Sequence, residues 1–360
     1  MKPFSKIRIS LIRATRTFSD AHVFGLSSPS KGKGQLVGVV AVLLGIAMAG
    51  VLAADPVRSE AASSGPHDAS TVARARAAFL KKMSSHRPLV RSTAAALAAS
   101  GGATSFPSYN WSGFADAEAG SNKISSVNAE WVIPYVQCPG GLYQYEDVIN
   151  AQWIGIDGFT NGTVEQLGSA TQCFEGAEYY YVWYEMFPQG TVEEGPQVCI
   201  NNNVDCPQPG DRIAASVTAT PAGNYTLSLI DYTHPAESFS VTASCAPSTC
   251  LDASAEWIME RPAYALPFGF QIVPLANFSP TGFSNGTLTS GGKTTDIEGF
   301  KDGLVYDIPM TDDTASYWLD CVGQESFWGG PKLLLTSNPN SCPTVSPYHG
   351  SFTITWDSSF

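Results

Sequence analysis

Charge is scarce in this chain of 360 residues: 14% of positions are charged, against about 25% in typical soluble domains. Scarcest are basic residues after position 103, where six Lys or Arg face 28 Asp or Glu, a balance of −22. That sign excludes a general nucleic-acid binder and disfavours docking on anionic lipid, because phosphate binding needs clustered positive charge. Histidine is nearly absent from the same region, which holds only His234 and His349. With no HExxH and no CxxC, neither a zincin nor a structural zinc site fits. A lone Asp157-Gly158 follows Ile156, so the two loops of a pepsin-like Asp dyad are missing. Gly282-Phe283-Ser284-Asn285-Gly286 matches GxSxG. It lacks the strand-to-helix context of a nucleophile elbow and reads as turn chemistry between strands.

The first 103 residues are the opposite in charge, with 14 basic and four acidic residues. Leu36–Ala54 is an uncharged apolar run behind a basic N-terminal stretch, with small residues before Asp55. It reads as a cleaved signal peptide or, alternatively, as a retained anchor long enough to span a bilayer. Both leave the basic side inside and export the acidic region, so the expected location is extracellular. The expected organisation is residues 1–54 as signal or anchor, 55–103 as a basic propeptide or linker, and 104–360 as the functional domain. Within the middle segment, Asp68–Met83 carries helix formers, a cap at Asp68 or Ser70, and basic Arg74, Arg76, Lys81 and Lys82. It is either a spacer or a propeptide that covers an acidic cleft.

After Thr104 the texture becomes short alternating runs separated by Gly, Pro, Asn and Ser. Ile213, Ala215, Val217 and Ala219 share one face, as do Tyr225, Leu227 and Leu229, and again Phe239, Val241 and Ala243. A period of two marks half-buried strands, and no segment here keeps a 3.6 period with caps. The expected fold is all-β, an antiparallel sandwich. Eight cysteines in an exported domain read as four disulfides. Local spacing favours Cys199–Cys206, Cys245–Cys250 and Cys321–Cys342, which leaves Cys138–Cys173. Sequons begin at Asn110, Asn161, Asn224, Asn277 and Asn285.

One phrase recurs at irregular spacing: Asn128-Ala-Glu-Trp-Val, Asn150-Ala-Gln-Trp-Ile and Ser254-Ala-Glu-Trp-Ile. Together with Asn110-Trp111-Ser-Gly, the Trp153–Gly158 block WIGIDG, Glu165-Gln166-Leu167-Gly168, Trp183-Tyr184-Glu185 and Ala255–Glu260, these residues resemble the glutamic peptidases, the eqolisin family of acid endopeptidases. The resemblance covers most of 104–360. It implies a concanavalin-like sandwich of two curved antiparallel sheets, made with a signal and a propeptide. It implies a catalytic pair of Gln166 and Glu260, with Trp111, Trp153, Asp157, Glu185 and Phe187 lining or supporting the site. Glu256 is set aside by the same match. It shares a face with Glu260 but lies about 13 Å away at about 3.4 Å per residue. Phe187 departs from the family, which commonly has Tyr there, so a hydroxyl near the cleft is missing.

The implied reaction needs no metal and no cofactor. Ionised Glu260 takes a proton from a water that Gln166 orients, and Gln166 then hydrogen-bonds the oxyanion. The expected partners are polypeptide substrates and the chain's own propeptide as inhibitor, with no nucleic acid and a monomeric state. Two other functions stay open: a non-catalytic carbohydrate-binding sandwich, and a glycosidase using two carboxylates such as Glu185 and Glu260.

Overall fold

The structure, a computed structural model, describes residues 69–84, 88–91, 104–118, 123–139, 147–194, 206–220, 223–245, 250–266, 269–297, 303–311, 333–336 and 351–356. All of these belong to the unit Ser59–Phe360. The apolar run 36–54, Asp68, Cys199, Cys321 and Cys342 lie outside the described residues.

In chain order the elements are α1 (Ala69–Met83), β1 (Thr104–Ser105), β2 (Trp111–Glu118), β3 (Ile124–Val132), β4 (Val136–Gln137), β5 (Val148–Ile156), β6 (Val164–Phe174) and β7 (Ala177–Phe187). There follow β8 (Thr191–Glu194), β9 (Arg212–Thr220), β10 (Asn224–Asp231), β11 (Phe239–Ser244), β12 (Ser254–Glu260), β13 (Ala263–Leu266) and β14 (Gly269–Ile272). The last are β15 (Asn277–Phe278), β16 (Thr281–Ser290), β17 (Lys293–Asp296), β18 (Gly303–Ile308), β19 (Met310–Thr311), β20 (Leu333–Thr336) and β21 (Phe352–Trp356).

β13 with β14 and β15 with β4 form two short sheets, and the other strands form two large ones. The first runs β1-β18-β2-β12-β5-β6-β7-β8, the second β11-β10-β9-β3-β16-β21-β20-β19 with β17 on β16. Among the described residues every strand pair is antiparallel except β1 with β18. The fold is therefore the expected all-β sandwich. Its inter-sheet core joins Phe114, Ile154, Leu167 and Trp257 of the first sheet to Trp131, Val217, Leu227 and Phe283 of the second. Each such side chain contributes about 1.5–3 kcal/mol when withdrawn from water.

The second sheet follows the period of two. In β9 the inward Ile213, Ala215 and Val217 are buried while their neighbours are partly exposed, and β10 repeats this with Tyr225, Leu227 and Leu229. The first sheet does not follow it, because β5 and β12 are buried at every position. Their second face is covered too. Val72, Ala75, Phe79 and Met83 form one stripe of α1 and cluster with Trp111, Trp153, Tyr181, Trp183 and Ile258. Phe79 stacks on Tyr181 at 4.2 Å with the rings 7° from parallel.

Two local expectations are corrected. Gly282–Gly286 is not a turn between strands but part of β16, whose register against β3 shifts between Ser284 and Thr287. Asn285 takes φ 54° there, a conformation asparagine tolerates, and the extra residue is absorbed as a bulge. Asn110 is completely buried, so its sequon is no surface acceptor in this fold. Disulfides join Cys138 to Cys173 and Cys245 to Cys250. Cys206 is also disulfide-bonded.

Candidate active site

Pairing across the first sheet lines up side chains on the face that α1 covers. One row holds Ala115, Glu256, Gly155, Gln166, Glu185 and Thr191. Four residues along β12, a second row holds Trp111, Glu260, Ala151, Ala170 and Tyr181. Between them lie Ile258, Trp153, Gly168 and Trp183. Residues two apart on a strand share a face, so Gln166 and Glu260 project to the same side. In register they are two strands and four residues apart, and it is Glu256 that shares the Gln166 row. Small residues keep this surface open. A Cβ on Gly155 would stand 3.1 Å from the Trp153 ring and 3.2 Å from Gln166 Cβ. One on Gly168 would stand 2.2 Å from the Gln152 carbonyl oxygen, so the close approach of β5 to β6 requires glycine.

Glu260 is fully buried, yet its carboxylate is well supplied with donors. Trp153 Nε1 donates to Oε2 at 2.9 Å and Asn110 Nδ2 donates to Oε1 at 3.3 Å. Trp111 packs edge-on against Trp153, with ring centroids 4.9 Å apart. Gln166 is equally buried, and its Nε2 donates to Glu185 Oε2 at 2.8 Å. Glu185 Oε1 accepts from Thr191 Oγ1 at 3.1 Å. Glu185 thus holds the carboxamide in one orientation. Phe187 ends β7 opposite Val164 and packs, half-buried, at the edge of the tryptophan cluster.

Asp157 serves a different purpose. Buried at φ 68°, it accepts backbone N–H groups from Leu251 and Asp252 at Oδ2 and from Ala253 at Oδ1, plus the Asn161 amide. It ties the end of β5 to the chain entering β12, the strand that delivers Glu260. Asn110 and Thr191 were not singled out from sequence as site residues. For Asn110 the available signal was its place directly before Trp111.

Two further carboxyls lie nearby. Burial, with Asp157 close by, pushes the Glu165 carboxyl up to about 10. Burial also holds the Glu256 carboxyl well above the usual range, with Asp157 and Asp116 adding to the effect. Both shifts favour the neutral acid over the carboxylate. Among the described residues two trios bring ligand atoms within 4.8 Å: Glu165–Cys245–Cys250 and Asp211–Asp231–His234. In the first the cysteines are spent in a disulfide, and in the second His234 Nδ1 lies 2.8 Å from both Asp211 oxygens.

Residues 109–320 match the sequence profile of the Peptidase A4 family. The chain belongs to that family. It is a glutamic-type peptidase, a hydrolase of peptide bonds. The A4 match begins one residue before Asn110 and includes every candidate site residue named above. Solved structures similar to the chain include the following three. Scytalido-glutamic peptidase with a transition state analog inhibitor is 21% identical, covers 69% of this chain and 98% of its own, and has a TM-score of 0.46. SCP-B, a member of the Eqolisin family in complex with the tripeptide Ala-Ile-His, is 20% identical over the same shares, with a TM-score of 0.47. Aspergilloglutamic peptidase from Aspergillus niger is 22% identical over 58% of this chain and 99% of its own, with a TM-score of 0.41. No curated protein sequence matches the chain.

Proposed function

We propose that the protein is an exported acid endopeptidase that hydrolyses polypeptides by direct attack of water. The observation that carries this reading is a fully buried Glu260 carboxylate on the same sheet face as a Gln166 amide held in place by Glu185. Ionised Glu260 takes one proton from the water while the water oxygen bonds to the scissile carbonyl carbon. Gln166 Nε2 donates to Glu185, which fixes the carboxamide, and this amide is the donor that meets the developing oxyanion. The proton on Glu260 then passes to the amide nitrogen as the C–N bond breaks. Trp153 and Asn110 hold the carboxylate throughout. A two-carboxylate glycosidase gains nothing from this arrangement, because Glu185 is engaged with Gln166 and Thr191 on the Gln166 row.

The same reading makes residues 55–103 an inhibitory propeptide, released as the monomeric enzyme matures. Its support is the way α1 lies on the site face. Arg74 pairs with Glu175 at 2.8 Å and Lys82 with Asp147 at 2.9 Å, while Arg76 pairs with Glu193. The positive leader and the acidic domain thus meet charge to charge. Residues 36–54 would carry the chain out of the cell.

The test is cleavage of a denatured protein across pH. Hydrolysis is expected at acidic pH, with activity abolished in Glu260→Gln and in Gln166→Ala although both remain folded by circular dichroism. Full activity in both variants sinks the proposal.

A further inference from the structure

Residues Pro88–Arg91 lie against the chain that leads into β2 and are hydrogen-bonded to it chiefly through backbone, while Leu89 packs on the tryptophan cluster and Arg91 lies over the Phe106 ring. Val90 donates its N–H to Asn110 Oδ1 at 2.7 Å, and Asn110 Nδ2 donates to the Pro88 carbonyl at 3.3 Å. The Val90 carbonyl accepts from the Tyr109 N–H at 2.8 Å and from Ser108 Oγ at 3.1 Å. Arg91 and Ser108 form an antiparallel bridge. One carboxamide therefore meets a carbonyl and the N–H two residues later, the pair that an extended strand turns to the same side. The same Nδ2 is 3.3 Å from Glu260 Oε1. A cavity of about 470 Å³ continues between this segment and the turn Gly158–Gly162.

No side chain of Pro88, Leu89 or Val90 makes these bonds, so the hydrogen-bond track reads backbone, while Leu89 adds an apolar contact with the tryptophan cluster. We propose that Ser108–Asn110 is the strand to which a polypeptide substrate adds, antiparallel and in the place now held by residues 88–91. Asn110 is then a positioning residue that couples the substrate backbone to the catalytic carboxylate. This rests on the peptidase reading above. Strand addition of this kind draws its affinity from main-chain hydrogen bonds. It also imposes a rule on the substrate. The residue standing where Pro88 stands needs only a carbonyl and tolerates proline, whereas the residue two positions later needs its N–H and rejects proline or N-methylation.

The experiment uses the full chain after acid incubation and an internally quenched peptide, N-methylated at one backbone position at a time. In the unaltered protein, methylation at one position on one side of the scissile bond is expected to lower kcat/KM by about tenfold or more, the loss of roughly one good hydrogen bond. Proline two positions before it is tolerated. In Asn110→Ala that penalty falls below about twofold while penalties at other positions persist. Each penalty is a ratio within one variant, so a smaller folded fraction cancels. An unchanged penalty in Asn110→Ala, or no sensitive position in the unaltered protein, overturns the substrate track and leaves the peptidase reading standing. Failure of the unaltered protein to cleave any peptide overturns both.

Discussion

Trp153 gives its indole N–H to Glu260 Oε2 at 2.9 Å, although the two residues are 107 apart in sequence and sit on adjacent strands. The bond reaches diagonally across the β5–β12 pair, because Trp153 is in register with Ile258 and not with Glu260. It explains why one face of β5 carries a tryptophan where an aliphatic residue would pack as well. A hydrogen bond to a charged group contributes about 1.5–3 kcal/mol. Trp153→Phe keeps a ring against Trp111 and removes only the donor. Peptide hydrolysis at acidic pH should fall by about 10- to 100-fold in kcat, with the urea midpoint little changed. A variant with unaltered kcat would show that Glu260 does not depend on this donor.

The hold of α1 on the sheet should be sensitive to pH through one pair in particular. Arg74–Glu175 is about half exposed and contributes little. Arg76–Glu193 is more enclosed, with the Glu193 side chain 11% exposed. Burial raises the Glu193 carboxyl above its ordinary value, Glu194 adds to this, and Arg76 partly opposes it. The net shift is upward, so Glu193 binds its proton more tightly with α1 in place than without it, and its contribution to the hold is lost as pH rises through the raised value. Hydrogen-exchange protection of residues 69–83 in the full chain should therefore be greater at acidic than at neutral pH. The loss toward neutral pH should be steeper in Arg76→Ala, where the buried carboxylate has no partner, with Arg74→Ala close to the parent. Identical profiles for all three would assign the hold to Phe79 and its apolar neighbours alone.

The two described disulfides should differ in what they contribute. Closing a loop removes unfolded-state entropy in proportion to the logarithm of its length. The 35-residue separation of Cys138 and Cys173 gives about 4 kcal/mol, and the five-residue separation of Cys245 and Cys250 about 2 kcal/mol. Urea unfolding of Cys138→Ser/Cys173→Ser and Cys245→Ser/Cys250→Ser should show that ranking. The reverse order would mean that strain or residual structure outweighs chain entropy here.

What the chain announces about itself depends on how many partners each strand has. β9, β10 and β11 bury one face only, so Ile213, Val217 and Leu227 alternate with polar neighbours and are legible as strands from spacing alone. β5 buries both faces, under Trp131 and Val217 on one side and α1 on the other, and its hydrophobic pattern loses the period. There the site was legible through a family resemblance carried by particular residues such as Trp153 and Gln166. Asn110 opened the first block of that resemblance, but a carboxamide with a serine two residues on also reads as a sequon, and nothing local gave it a role. Only the fold brings it within reach of Glu260, 150 positions away. The offset of Glu260 from the Gln166 row was equally hidden, since it depends on the register of three strands.

Stability should decline from acid toward neutral pH, and two buried carboxyls supply the reason. Glu165, raised to about 10 by burial and by Asp157, binds its proton far more tightly folded than unfolded, where it titrates near 4.5. Glu256 is shifted in the same direction, also chiefly by burial. A raised carboxyl stabilises the fold in full below the unfolded value. That stabilisation is lost as pH climbs from about 4.5 toward the folded value, because the unfolded state sheds its proton first. Each such proton contributes a slope of about 1.4 kcal/mol per pH unit within that window. Glu165→Gln and Glu256→Gln replace a neutral acid by a neutral amide of similar size. Thermal unfolding from pH 3 to 8 should show the parent losing stability steadily above about pH 4.5. Either variant should decline more shallowly and the double variant more shallowly still, whatever their stability at pH 3. Parallel curves would show that these carboxyls do not stay protonated in the folded protein.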